Sequence, residues 1–321
     1  MENITNVFQI HMGPAKCAVD LSDGSERGAY VNQDYILQKM GRPHRAINLM
    51  YCYYPLDKGW PVRASIAHAS DTVSFAWDYP YDDYFTYKGG LHGDLKEEPF
   101  TFMRDIRRHG QDIILTLTID PHVSDEHLIA IAKDLTTFGR LQLRINHEAT
   151  GDWFSFNRRC TYQEVADFYV RFHNIIKKYT TNVKTILCIG GIEYPDKDEI
   201  EKEEEFTEAV RQTDIWSDDK YMALHWGWPY DVAERGGNTH KRDTVSHTYN
   251  LTKKSYERFK FLNHGVAKPM VMSEFNADGD VTGPYDQAVM IKEFCDLLKQ
   301  EPSEWFSGFT FYQFRDDGRL G

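Results

Sequence analysis

The 321-residue sequence is poor in cysteine. Cys17, Cys52, Cys160, Cys188 and Cys295 lie scattered, with no C-x-x-C pair. So odd and sparse a set argues against a disulfide framework or a cysteine-built zinc site. Cys52 and Cys188 sit inside apolar runs and read as small core residues. No apolar run approaches the roughly 18–20 residues that cross a bilayer. Basic charge is in deficit, with 37 Lys and Arg against 49 Asp and Glu and a net charge of −12. Nucleic acid is bound by basic excess, so that class of partner is not expected. No G-x-G-x-x-G follows a predicted strand, which disfavours a doubly wound nucleotide-binding sheet. The first residues, Met1-Glu2-Asn3-Ile4-Thr5, show no basic segment followed by an apolar run, so no signal peptide is visible.

What the chain has in quantity is aromatic side chains: 7 Trp, 19 Tyr and 19 Phe, or 14% of the residues. Such a chain collapses around a core, which excludes disorder. From residue 45 onward, short apolar segments alternate with helical ones. Predicted strands are Arg45–Tyr54, Thr72–Tyr79, Asp112–Asp120, Leu141–Glu148, Lys184–Ile192, Tyr221–Trp228, Pro269–Phe275 and Gly308–Arg315. Their near-continuous apolar character suits parallel strands buried on both faces. Helices are predicted at Pro99–His109, Asp125–Phe138 with Ser124 as N-cap, Tyr162–Tyr179 with Thr161 as N-cap, Thr248–Asn263 and Pro284–Gln300. The charge run Asp196–Glu208 reads as a solvated helix face. Eight strands with helical crossovers predict a single α/β domain, a (β/α)8 TIM barrel over residues 45–321. Residues 1–44 are an N-terminal extension packed on it, with Phe8–Met12 as an extra strand.

In such barrels the reacting groups stand at the carboxyl ends of the strands. Two carboxylates are so placed: Glu148 ends the fourth predicted strand, and the apolar run of the seventh ends in Glu274. A carboxylate after a buried run is costly unless a cleft or partner compensates it. Two across one pocket suit glycoside hydrolysis, in which one protonates the leaving oxygen and the other attacks the anomeric carbon. Arg144, Asn146 and Glu148 share strand parity and are expected to point to one side. Rings gather nearby, at Trp153 and Phe154 and in His225-Trp226-Gly227-Trp228-Pro229-Tyr230. Such rings can stack on sugar C–H faces while polar neighbours bind hydroxyls.

The segment Arg144-Ile-Asn-His147-Glu148-Ala-Thr-Gly151-Asp-Trp153-Phe154 resembles the signature of glycoside hydrolase family 26. These are the β-mannanases among the clan A barrel glycosidases, with a signature of roughly R-P-x-H-E-M-N-G-x-W-F. Arg144, His147, Glu148, Gly151, Trp153 and Phe154 match at the right spacings, and Met272-Ser273-Glu274-Phe275 resembles the family's nucleophile strand. Ile145 replaces the proline, and Ala149-Thr150 replaces the Met-Asn pair. The resemblance implies a retaining, endo-acting enzyme on a neutral β-linked glycan, β-mannan first and β-xylan or β-glucan next. It implies Glu148 as acid/base, Glu274 as nucleophile, and Arg144, His147, Trp153, His225, Trp226, Trp228 and Tyr230 as substrate-binding residues. Asp78 and Tyr79, with Asp120, are expected at distal subsites. No metal, organic cofactor, nucleic acid or membrane partner is expected, and a secreted or periplasmic location suits polysaccharide degradation. Two other classes stay open at this point. One is a metal-dependent barrel hydrolase using some of the thirteen histidines, such as His11, His122 and His225. The other is a non-catalytic sugar-binding barrel.

Overall fold

The computed structural model describes residues 11–12, 15–16, 18–22, 30–68, 85–151, 154–190, 203–222, 245–277, 287–301 and 305–312. Eight parallel strands form the centre: β1 (Ala18–Ser22), β2 (Ala46–Tyr53), β3 (Asp112–Ile119), β4 (Leu141–Ile145), β5 (Val183–Cys188), β6 (Ile215–Met222), β7 (Met270–Ala277) and β8 (Gly308–Phe311). Each pairs with its neighbours in chain order, and β8 pairs with β1. The ring closes where β1 meets β2, through Leu21↔Ile47 and Ser22↔Asn48. This is a closed (β/α)8 barrel. A two-residue strand, Phe85–Thr86, adds to the end of β2, and His11–Met12 pairs antiparallel with Ala15–Lys16.

Helices run between the strands: α1 (Gln33–Met40), α2 (Val62–His68), α3 (Phe100–Arg108), α4 (Asp125–Leu135), α5 (Tyr162–Tyr179), α6 (Thr207–Gln212), α7 (Val245–Leu262) and α8 (Gln287–Gln300). Helix α5 begins where predicted because Thr161 and Glu164 form a reciprocal capping box that satisfies two free N–H groups. Its stripe Val165, Phe168, Tyr169, Phe172 and Ile176 is buried. Ser124 does stand at the N-cap of α4, but its side chain makes no capping bond. Strands β2 and β3 are buried at every position, as parallel strands covered on both faces must be.

The structure departs from the sequence reading in four places. Strand β1 comes from the stretch 1–44, and it was not recognised because Asp20 interrupts its apolar pattern; that buried carboxylate accepts from Arg45. Strand β2 pairs directly with β3 from Ala46↔Asp112 to Tyr53↔Ile119, which leaves no room for another strand between them. Thr72–Tyr79 lies outside the described residues. Strand β6 starts at Ile215 instead of Tyr221, because Asp218, Asp219 and Lys220 disguise a buried strand as a polar turn. Within Asp196–Glu208, Glu204 and Glu205 are exposed as expected. Glu203 is instead buried and faces Arg258 on α7 at 3.4 Å.

Polar residues interlock the strands with the helices around them. Trp216 packs on Tyr256 and Phe259 of α7 and donates its indole N–H to the carbonyl of Val210 at 2.9 Å. Asp218 accepts from Ser255 of α7 at 2.9 Å. Residues 216 and 218 therefore face the helices, and strand alternation turns Ser217, Asp219 and Tyr221 toward the barrel axis.

On α5, His173 is buried with its Nδ1 2.7 Å from the Thr185 hydroxyl. Burial, with Lys177 adding, lowers its pKa to about 4. The unfolded chain then binds the extra proton between pH 6.5 and 4, so stability falls as pH drops through that window, by at most about 3 kcal/mol. Urea unfolding at pH 7 and pH 5 should show this slope in the wild-type protein and a shallower one in His173→Gln.

Candidate active site

The barrel axis carries a polar spine where apolar layers are usual. Asn48 on β2 accepts from the Thr116 hydroxyl on β3 at 2.9 Å. Thr116 in turn accepts from Nε of Arg144 on β4 at 2.8 Å. The fully buried Arg144 guanidinium then donates to Oδ2 of Asp219 at 3.0 Å and to Oε1 of Glu274 at 2.6 Å. The second oxygen of Glu274 accepts from the Tyr221 hydroxyl at 2.6 Å. Side chains from β2, β3, β4, β6 and β7 thus join in one network at the barrel's centre.

Glu274 reaches that network through a bulge. Along β6, Met272 pairs with Asp218 and Glu274 with Asp219, so Ser273 is the extra residue; the register with β8 slips in the same interval. Met272 faces α7, where the Thr252 hydroxyl approaches its sulfur at 4.0 Å. Ser273 meets Ser217 inside the barrel. On a regular strand Glu274 would then point outward. The extra residue re-aims it inward, a recognised use of bulges beside active sites.

Glu148 arrives differently. Strand β4 ends at Ile145, and Asn146 and Glu148 adopt left-handed backbone, with φ of 43° and 48°. Shared strand parity therefore does not carry Glu148 inward; a turn does. Asn146 holds the turn by pairing with the backbone of Ile119, accepting from its N–H at 2.7 Å and donating to its carbonyl at 3.0 Å. Ala149 and Thr150 then donate to the carbonyls of Cys188, the last residue of β5, and Ile189 just after it. A glutamate in the left-handed region is strained, and such strain persists where the surroundings over-determine it, commonly at functional sites. Between the two residues, His147 is buried, packs edge-on to Phe154 at 4.7 Å, and places Nε2 3.7 Å from Glu274 Oε1. Burial, with Arg144 adding, holds its pKa well below the usual histidine range, so the imidazole is neutral at pH 7.

One carboxylate oxygen each from Glu148, Asp219 and Glu274 lie within 4.8 Å of one another. Oxygen sets of this kind can hold a hard divalent ion. Here Arg144 bonds two of the three, so the protein's own cation fills the place between Asp219 and Glu274. Burial keeps the Tyr221 phenol neutral and donating, its pKa pushed well above the ordinary value.

Arg144, His147, Glu148 and Glu274, expected together from sequence, do meet at the carboxyl end of the barrel. Asp78, Tyr79, Trp153, His225, Trp226, Trp228 and Tyr230 lie outside the described residues. Asp120 follows β3 on the same face and is buried, accepting from Arg159 at 2.8 Å and from the backbone N–H of His122 at 3.0 Å. His122 Nδ1 lies 3.1 Å from the same carboxylate, and its Nε2 is 3.8 Å from Cys160 Sγ. Sequence reading missed Asp219 and the role of Tyr221. The alternation Ser217-x-Asp219-x-Tyr221 was the available signal, two inward polar residues in the strand before the aromatic run.

No protein-family model matches the chain, and no curated protein matches it by sequence. Solved structures match over nearly its whole length. A modular endo-β-1,4-mannanase of Cellulomonas fimi, from glycoside hydrolase family 26, aligns over 94% of this chain at 11% identity and a TM-score of 0.53. The chain spans 66% of that protein's length. A family 26 β-mannanase of Bacteroides ovatus aligns over 95% of this chain and 83% of its own, at 13% identity and a TM-score of 0.53. An endoglucanase of Thermotoga maritima aligns over 95% and 91%, at 10% identity and a TM-score of 0.59. At these identities the likeness establishes the fold, the (β/α)8 barrel shared with these glycosidases.

Replacing Arg144 with Met removes the buried cation to which Asp219 and Glu274 both bond. Losing one partner of a buried pair costs about 3–5 kcal/mol. Urea unfolding of Arg144→Met should show a loss of that size, and a loss below about 1 kcal/mol would mean that the guanidinium does not hold the centre together.

Proposed function

We propose that the protein is a retaining glycoside hydrolase of the clan A kind. Its substrate is a neutral β-linked glycan cleaved internally, β-mannan first and β-xylan or β-glucan next. The observation that carries the proposal is the approach of Glu148, in the turn after β4, and Glu274, behind the bulge of β7, with carboxylate oxygens within 4.8 Å. Carboxyl groups about 5–5.5 Å apart belong to double displacement, whereas inversion needs about 6.5–9.5 Å to admit a water. The family 26 resemblance around residues 144–154 and the shared barrel point the same way.

In this mechanism Glu274 attacks the anomeric carbon while Glu148 gives its proton to the departing glycosidic oxygen. The C–O bond to the leaving sugar breaks, and a glycosyl ester forms on Glu274. Glu148, now a carboxylate, takes a proton from water as that water attacks the same carbon and releases Glu274. Two inversions give net retention. Arg144 and Tyr221 orient the nucleophile through one bond to each of its oxygens, which limits the motion lost on the way to the transition state. Neutral His147 supplies a donor or acceptor for a sugar hydroxyl. A chain with net charge −12 repels anionic glycans and so suits neutral ones. No helix among the described residues is long and apolar enough to cross a membrane. A secreted or periplasmic location goes with this reading, since polymeric glycans are degraded outside the cell.

The test is a screen of mannan, xylan, mixed-linkage glucan and β-1,3-glucan, with product analysis. Mannan should be cleaved to oligosaccharides whose first-formed anomer is β by proton NMR. An initial α anomer would rule out double displacement, and no cleavage of any polymer would favour a non-catalytic sugar-binding barrel. Glu274→Ala should abolish turnover while the circular dichroism spectrum is unchanged. Tyr221→Phe removes a hydrogen bond to a charged group worth about 1.5–3 kcal/mol, so kcat should fall roughly 10- to 100-fold.

A further inference from the structure

The half-buried Glu148, the buried Asp219 and Glu274 and the buried Arg144 guanidinium share one centre. With all four ionised, Glu148, Asp219 and Glu274 against Arg144 leave two negative charges uncompensated. Burying such an excess is costly, and groups in that position take up protons instead. The structure indicates which carboxylate takes one first. Both oxygens of Glu274 accept hydrogen bonds, from Arg144 and from Tyr221. Asp219 has one oxygen on Arg144, and for the rest of its fully buried carboxyl the donor at hand is the weak Cys188 thiol. An ionised carboxylate with a buried oxygen met by nothing stronger than a thiol forfeits solvation that a proton makes unnecessary.

We propose that Asp219 is protonated in the resting protein and acts as a positioning residue, leaving the Arg144 charge to Glu274 alone. The groups facing Asp219 are consistent with this. Among the described residues, Arg144 of β4 is the cation bonded to it. Glu274 of β7 and Glu148 after β4 lie within 4.8 Å and repel a second charge. The Cys188 thiol, next to it at the end of β5, is itself held protonated by burial and adds no positive charge. Tyr221, two residues along β6, is a neutral phenol, and Asp218 on the opposite face adds a further negative charge. Burial is the largest influence on Asp219 and pushes its pKa up to about 8; Arg144 opposes this and Glu274 adds to it. With Asp219 neutral and Glu148 carrying the proton that a general acid needs, the remaining charges are Arg144 and Glu274. The centre is then neutral overall, with its negative charge on the nucleophile.

What the proton does depends on the glycosidase reading; whether it is there does not, and infrared spectroscopy reads it directly. In Glu148→Gln, which removes the other protonated carboxyl, a carboxylic-acid C=O band should persist at pH 7. It should fade as pH rises through about 8, and be missing from Glu148→Gln/Asp219→Asn. No band at pH 7, or a band that survives Asp219→Asn, overturns the proposal. Stability gives a second reading. A carboxyl protonated in the fold and ionised in the unfolded chain makes stability fall as pH rises from about 4 to 8. The urea midpoint should show this component in the wild-type protein and lose it in Asp219→Asn; identical slopes would overturn the assignment. A band without hydrolysis of any glycan would sink the proposed function and leave the proton in place. Hydrolysis without a band would do the reverse.

Discussion

The charge of Arg144, buried on the axis of a parallel barrel, is the constraint on which the rest depends. A guanidinium there costs several kcal/mol of lost hydration unless every face of it is met. Thr116, Asp219 and Glu274 meet it, from β3, β6 and β7, and Asn48 on β2 supports Thr116. Because these partners come from strands around the ring, their register cannot slip without exposing the charge to an apolar interior. The same interaction that specifies the strand register therefore holds Glu274 at the mouth of the barrel.

Both proposed catalytic carboxylates are delivered by departures from regular structure. Glu274 stands behind an extra residue in β7, and Glu148 lies in a left-handed turn beyond β4. Neither departure is free, since an irregular strand gives up ladder bonds and a non-glycine left-handed residue carries steric strain. The neighbouring strands sustain them: Asn146 is fastened to Ile119, and Ala149 and Thr150 to the carbonyls of Cys188 and Ile189. Strands alternate sides, so unbroken β4 and β7 would aim every second side chain at the helices. A site needing carboxylates on one centre from two strands is built by breaking that rule locally.

Around the centre, the same face is stiffened by a second network. Arg159 stacks over Tyr54 at 4.6 Å and bonds both oxygens of Asp57, while also donating to Asp120. Tyr54 and Tyr53 each meet Trp60 at steep ring angles. The loops after β2, β3 and β4 are thereby tied to one another. A rigid rim suits the proposed function, in which this face would hold a neutral polymer by ring contacts and hydroxyl hydrogen bonds.

Sequence alone determined the elements whose signals are local. Helix α5 was legible to its end residues because Thr161, Glu164 and the buried stripe all lie within one segment. Strands β2, β3, β4 and β7 were legible because burial on both faces demands continuous apolar runs, and Glu148 and Glu274 stood out against those runs. The tertiary structure decided what depends on partners distant in the chain. Strand β1, interrupted by Asp20, and strand β6, masked by Asp218, Asp219 and Lys220, look polar until Arg45, Ser255 and Arg144 supply their counterparts. The bulge that turns Glu274 inward leaves no mark on the apolar pattern, because Met272 and Phe275 remain buried on either side of it. A buried charge is stable only in its completed network, and a network spanning five strands exists only once the barrel has closed.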